Sequence, residues 1–591
     1  MCTSFAKKNT GVQIFTLKII NLVPYNYLTL SPMKKIYTLI LFASLIFPAF
    51  AQWSEDAANN IVIADLSGEQ VIPKIGICQD STLYIGFFSN QTGNYNVRLQ
   101  KLDSDGNKLW DDNGILVFDG PTDSWVSDWG MATDKYEHAI LTFTWTSNDS
   151  WNIKGYRVSP EGELVWGDDG IDITNNTAFN AAPKVMCTAA GNSVFAWMAD
   201  DFIVMQKVSP EGVKLWGDDG ITIATAERTA WPQFLPVGED EFIMKYYEDS
   251  GPSWAPTRHL VAQRFDSDGQ GVWSAPAIVS NAGGITAWTQ ILSFISDGNE
   301  GFYVAWHDDR NNDQMVEAFV QHVDSDGNPT MTANGVSLST MGSHHHFTPF
   351  LALPEGSGNI YAYWSETDDL QNYRGIYGQS VSSSGERMWT DAGKVIIPLM
   401  YPDVVTPWDA DVSGADMVLL YDEGNSAAQE IKMIKLNKDG NFVWPSEYTT
   451  ISSANSTKVH MDMSRFAYDQ WILSWEDNRK DASDIYAQNI NNDGSLGVSN
   501  IAVKYKETRK LSVYPNPVSV KGVVNLSISN QFSGTLVIND IYGREISKLA
   551  VAKGTNEIPV SALLNDSRDG LYMLNYITDT ERYSCKLLIE K

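Results

Sequence analysis

Two short stretches set an acid beside a base at the end of an apolar run. "WHDDR" puts Asp308 two residues before Arg310, and "WEDNR" puts Asp477 two before Arg479. Such a pair can supply a general acid next to an anion clamp, although the same pattern on a strand end also makes a surface ion pair. Three consecutive histidines, His344 to His346, invite a metal. Neighbouring side chains in an extended segment point apart, so adjacent rings seldom reach one ion; an exposed polar linker is expected, and no metal site is assigned. The "DSDG" turns carry the acids of a calcium loop, but the equivalent "SPEG" and "SSSG" lack the carboxylates such a site needs. Trp129, Trp231, Trp288 and Trp408 stand in connecting segments. Their flat apolar faces suit stacking on sugar rings, or equally a hydrophobic cap over a channel. There is no nucleophile elbow, phosphate loop or zinc motif, and no cofactor is expected.

The elements that must position these residues follow from a repeat. A turn glycine recurs at Gly106, Gly162, Gly212, Gly269, Gly327, Gly385, Gly440 and Gly494, at intervals of 50 to 58 residues. Four residues later stands Trp110, Trp166, Trp216, Trp273, Trp389 or Trp444, with Met331 and Val498 as exceptions. Six residues earlier stands Gln100, Gln206, Gln263, Gln321, Gln379 or Gln488. A repeat of this length, built from short β-rich runs and glycine turns without helical periodicity, predicts four strands per unit, A to D. Radially stacked, eight such units make a closed β-propeller; seven blades plus an aberrant hairpin is the alternative. The glutamine shares a face of strand C with core residues, so it is expected to be buried and satisfied by backbone groups of a neighbouring strand, not arrayed for a ligand. The tryptophan, placed on strand D, is expected to be a packing anchor.

Closure has its own signature. "WSEDAANNIVIAD" (53–65) resembles the segment "WGDDGITIATA" but follows no strand C, whereas the last unit lacks its tryptophan. Residues 53–65 are therefore expected to pair beside 485–490 and seal the ring. Strand parity places the B–C loops and D–A linkers, with the candidate residues above, on one face.

The chain is acidic, with 42 Lys and Arg against 72 Asp and Glu and a net charge of −30. That field repels polyanions, so nucleic acid is excluded as a partner. From Met33, "MKKIYTLILFASLIFPAFAQ" reads as a secretory signal peptide ending at Ala51, too short for a mature membrane span. Residues 1–32 read as an upstream extension from a misassigned start. Cys78, Cys187 and Cys585 show no paired spacing and are expected to be free thiols.

The character changes after 505. A charged linker (506–510) leads into alternating strands over 511–591, which predict a small antiparallel, immunoglobulin-like sandwich. "LSVYPNP" (with Tyr514, Pro515, Asn516 and Pro517), "NDIYGREI", Gly570-Leu571-Tyr572 and the closing "KLLIEK" resemble the type A C-terminal sorting domain of the type IX (Por) secretion system. The resemblance implies a Bacteroidetes-type cell, the secretion machinery as partner, export to the surface or exterior, and removal of the tail. In the repeats, the glycine-to-tryptophan spacing weakly resembles quinoprotein-like propellers; it misses the sialidase Asp-box spacing by one. Neither family's catalytic residues carry over. The leading expectation is a non-catalytic module binding a glycan or a protein; the alternative is a propeller lyase or hydrolase with acid and base in the B–C loops.

Overall fold

A computed structural model of the chain describes residues 52–498, apart from 92, 123–128, 148–149, 287–288 and 426. In the C-terminal segment it describes 509–510, 513–519, 521–526, 534–539, 545–552, 557–559, 570–577 and 582–590. The signal peptide, the upstream extension and Trp288 lie outside the described residues, as does part of the expected linker.

Residues 52–498 form eight four-stranded antiparallel sheets. The first blade is Glu69–Ile77, Thr82–Asn90, Tyr95–Asp103 and Ile115–Phe118, strands A to D in chain order. Six more blades repeat this order. The eighth takes A, B and C from Lys458–Met463, Gln470–Asp477 and Asp484–Asn491, and its D strand from Ile61–Ala64 at the other end of the chain. Ile61 pairs with Ala487 and Val62 with Tyr486, beside the strand the closure signature predicts. Apolar side chains from facing sheets merge into eight clusters, each shared by two consecutive blades. Blade 8 packs on blade 1 through Ile472 and Ile485 against Ile85 and Phe87, so the ring is closed.

The repeated glycine and tryptophan meet across blades. Each tryptophan lies under the C–D hairpin of the next blade, where a Cβ on that hairpin's glycine would fall 2.6 to 3.4 Å from its side chain. The eight glycines hold φ of 70° to 90°, a left-handed turn that an L side chain resists. Met331 fills the place beneath Gly385, and Trp53 fills it beneath Gly106. The indole N–H groups of Trp53, Trp166, Trp273 and Trp444 donate to Ser104, Pro210, Ser325 and Asn492 carbonyls at 2.8 to 3.1 Å. Trp53 thus stands in for the tryptophan that blade 8 lacks after Gly494. The tryptophans sit in the C–D connection, not on strand D as the sequence predicts: in blade 3 the strand proper is Ile221–Ile223, beyond Trp216.

The strand-C glutamines are buried and clamp that connection within their own blade. Gln206 Nε2 donates to the Gly217 carbonyl at 2.6 Å, and its Oε1 accepts the Trp216 N–H. Gln321 and Gln379 repeat both bonds, and Gln263 does so with the Trp273 carbonyl itself as acceptor. The C-terminal segment is two sheets around one core, from Val524 and Ile558 on the smaller to Leu536, Leu574 and Ile589 on the larger. It departs from a purely antiparallel sandwich where Arg509–Lys510 and Val518–Ser519 pair parallel with Arg582–Glu590.

Candidate functional site

The inner strand of most blades is bent near its start. In six A strands the pairing register breaks, at Val71/Lys74, Ala181/Lys184, Ala230/Gln233, Phe347/Phe350, Pro407/Asp409 and Val459/Asp462. Pro73, Pro183, Pro232, Pro349 and Pro407 sit in five of these bulges, and a proline has no N–H to give the ladder. Five bulges also hold a non-glycine residue at positive φ: Ile72, Ala182, Trp231, Thr348 and His460, at 48° to 57°. Each such residue stores about 1–3 kcal/mol of strain that its surroundings must hold.

Neighbouring side chains hold it. The Ile72 N–H donates to Glu476 Oε1 at 2.6 Å, and the Ile72 carbonyl accepts the Trp129 indole at 3.0 Å. The Thr348 N–H donates to His307 Nδ1 at 3.0 Å. Burial pushes the His307 imidazolium down to about 4, so the ring stays neutral and can accept there. Lys245, fully buried and well below its ordinary pKa through desolvation, then repulsion from Lys184 and Arg258, donates to the Trp231 carbonyl at 3.1 Å.

Four of these bulges, in blades 1, 6, 7 and 8, frame a cavity of about 710 Å³ on the face of the B–C loops and D–A linkers. Its apolar wall is Ile72, Ile291, Phe347, Phe350, Trp408 and Met461. Lys74, Thr367, Arg374, His460 and Asp462 bring the polar groups. His460 Nδ1 bonds to Glu476 Oε1 at 2.5 Å, and Asp462 accepts the Ile75 N–H at 2.7 Å. On the same face Trp254, Tyr373 and Tyr401 are 82%, 47% and 65% exposed, the two tyrosine rings 5.6 Å apart. A second cavity, of about 790 Å³, opens among the A–B turns on the other face; there His322 is already bonded to Asp297 at 2.9 Å.

Of the residues singled out in the sequence, Trp408 lines the mouth, its indole donating to Asp422 at 3.1 Å. Trp129 is buried against Phe88 between blades 1 and 2, which leaves no face for a sugar. Trp231 is half-buried against the core shared by blades 4 and 5. The two acid–base pairs are internal latches. Asp308 is buried, accepting from Trp306 Nε1 at 2.8 Å and Arg310 Nη2 at 2.7 Å, while Arg310 stacks on Phe319. Asp477 likewise accepts from Trp475 and Arg479, with Arg479 stacked on Tyr486. Burial works against the ionised form of Asp477, but bonds from Arg479, Ser456 and Trp475 hold its pKa below the usual value. An acid held ionised cannot serve as a proton donor near neutrality.

The histidine run is not an exposed linker. It opens strand A of blade 6, His344–Ala352, and His345 and His346 are buried. His344 and His346 share a face and flank Glu366, at 2.7 and 3.4 Å, while His345 accepts the Val316 N–H. Among the described residues, the ligand atoms of Cys78, Asp80 and Glu137 lie within 4.8 Å of one another. Burial pushes the Cys78 thiol up to about 12, against the thiolate a metal needs. Cys78, Cys187 and Cys585 are free. No helix among the described residues is long and apolar enough to cross a membrane.

Fold and site define an all-β, eight-bladed propeller with a separate C-terminal β-domain. Residues 512–590 match the secretion system C-terminal sorting domain of the Por (type IX) pathway. That domain engages the secretion machinery, which carries the protein across the outer membrane to the cell surface or exterior. No curated protein matches the chain. Among solved structures it is similar to the Dos1 propeller (12% identity, 73% of this chain and 95% of that one, TM-score 0.40). A protein of unknown function from Dyadobacter fermentans is also similar (10%, 75% and 99%, TM-score 0.34). So is an α-L-arabinanase of Penicillium chrysogenum complexed with arabinobiose (10%, 54% and 94%, TM-score 0.31). Likenesses this distant carry nothing about activity.

Proposed function

We propose that this is a non-catalytic, surface-displayed or released binding protein that seats a glycan in the mouth of its channel. One observation carries the reading: three aromatic residues, Phe347, Phe350 and Trp408, line a cavity framed by strained, tightly held backbone. A hydrolase needs two carboxyls roughly 5–10 Å apart across its pocket. Asp308 and Asp477, the acids an enzyme reading would use, are consumed in ion pairs, and Asp462 is bonded to backbone. The full chain screened on a glycan array tests the reading. Binding that disappears when Phe350 and Trp408 are both replaced by Ala, in a variant that melts at lower temperature but is still folded at the assay temperature, supports it; release of reducing ends from any bound glycan overturns the non-catalytic part.

We further propose that the mature chain starts at Gln52, in a Bacteroidetes-type cell, and that the tail is cut off within 506–510. Intact mass of the exported protein tests both ends: a surface form still ending at Lys591 contradicts the cut.

A further inference from the structure

We propose that the mouth carries an anion subsite, built from Arg374 and Thr367 on blade 6, for the carboxylate of a uronic-acid saccharide. The inference rests on the glycan-binding reading and names the ligand class.

Arg374 is the first residue of strand C, Arg374–Ser382, at the end of the B–C loop, and it lines the cavity. In a protein with 72 acidic and 42 basic residues, an arginine with no acceptor at all is out of place. Of the nine other arginines of the ring, seven pair with Asp or Glu, and Arg98 and Arg228 donate to backbone carbonyls. Arg374 is half-buried, and among the described residues no hydrogen bond or ion pair engages its guanidinium. Holding that group at a mostly apolar wall without a counter-charge costs free energy, which a ligand anion would offset.

A second observation points the same way. Thr367 stands directly across the B–C pair from Arg374, lines the same cavity and is 2% exposed. Its hydroxyl is buried with no hydrogen-bond partner. An unmatched buried hydroxyl is rare enough to call for an explanation, and beside a guanidinium a ligand oxygen supplies one. A planar carboxylate matches the guanidinium fork and can still accept the threonine hydroxyl. Lys74 and His460 add positive or neutral edges on the far wall, from blades 1 and 8. Among the described residues, Asp462 is the only acid lining the cavity, and it accepts the Ile75 N–H. Phe347, Phe350 and Trp408, which line the cavity, then meet the ring that bears the carboxylate.

The test is calorimetric titration of the full chain with oligogalacturonate and oligoalginate, each beside its methyl ester, which keeps the sugar and removes the charge. At least one acidic form should bind, its ester at least tenfold more weakly. Arg374→Met should weaken the acidic form at least tenfold, and Arg374→Lys by less, because charge survives without the fork. Thr367→Val, which keeps the shape, should also weaken it. Equal binding of ester and acid, or no effect of Arg374→Met, overturns the subsite while leaving a neutral-glycan mouth intact. A sulfated oligosaccharide binding more tightly than either uronate overturns the carboxylate assignment. Binding of no saccharide, acidic or neutral, overturns this inference together with the reading it rests on.

Discussion

Replacing Trp273 by alanine isolates the contact that the repeat encodes. Trp273 is 8% exposed and belongs to the core shared by blades 4 and 5. Its ring lies beneath Gly327, and its indole donates to the Ser325 carbonyl at 2.9 Å. Burying a tryptophan removes about 150–250 Å² from water, worth about 4–6 kcal/mol at 25 cal/mol/Å² as an upper figure. Measured Trp→Ala changes in cores run at about 3–5 kcal/mol, cavity included. We expect a loss of about 4 kcal/mol, read as a shift of the urea midpoint at common slope for the full chain and its variant. Trp216 provides the internal comparison. It is only half-buried, with a longer indole bond of 3.3 Å to Ser267, so Trp216→Ala should cost about half as much. A loss below about 1 kcal/mol for Trp273→Ala, or equal losses at the two sites, would refute the inter-blade latch.

Three further outcomes follow from the same structure. Gly327→Ala should cost about 3 kcal/mol or more, since φ is 83° and the new Cβ would meet the Trp273 ring at 2.6 Å. Gly238→Ala, at φ 55° with nothing within 4 Å, should cost only the backbone term of about 1 kcal/mol; equal melts would contradict this. His307 titrates at about 4 when folded and near 6.5 when unfolded, so the unfolded chain binds more protons between these values. Its contribution is full above pH 6.5 and falls as pH drops toward 4, by about 2.5 kcal/mol at pH 4.5. His307→Asn, which offers an oxygen to the Thr348 N–H, should lose less stability over that range; parallel pH profiles would contradict it. Deleting residues 511–591 should leave the protein in the periplasm of a host with the Por machinery, as fractionation would reveal, and surface display of the truncated chain would contradict the address.

The ring was legible because its contacts are periodic. Gly106 to Gly494 and the tryptophans four residues on are the two halves of one interface, used at six of the eight blade junctions, so both recur in the sequence. The displaced "WSEDAANN" was readable for the same reason: Trp53 performs a repeated task away from its blade. The mouth was legible only as a face. Its lining comes from bulges that break the strand period, and residues there differ from blade to blade. The prolines at 73, 183, 232, 349 and 407 were a visible sign of those bulges and went unread. Asp308 and Asp477 misled because a buried latch and a catalytic pair share one short spelling; the Trp306 and Trp475 indoles that close each latch are seen only in space. Arg374 carries no sequence signal, since the lack of a partner for its guanidinium among the described residues is a property of the folded chain.

The most direct test is hydrogen–deuterium exchange of the full chain with and without a saccharide that it binds. Slowed exchange should appear together in 347–350, 365–374, 406–408 and 460–462, the segments that line the mouth from three blades. Protection confined to the A–B turns on the other face, around 295–299 and 353–358, would contradict the account.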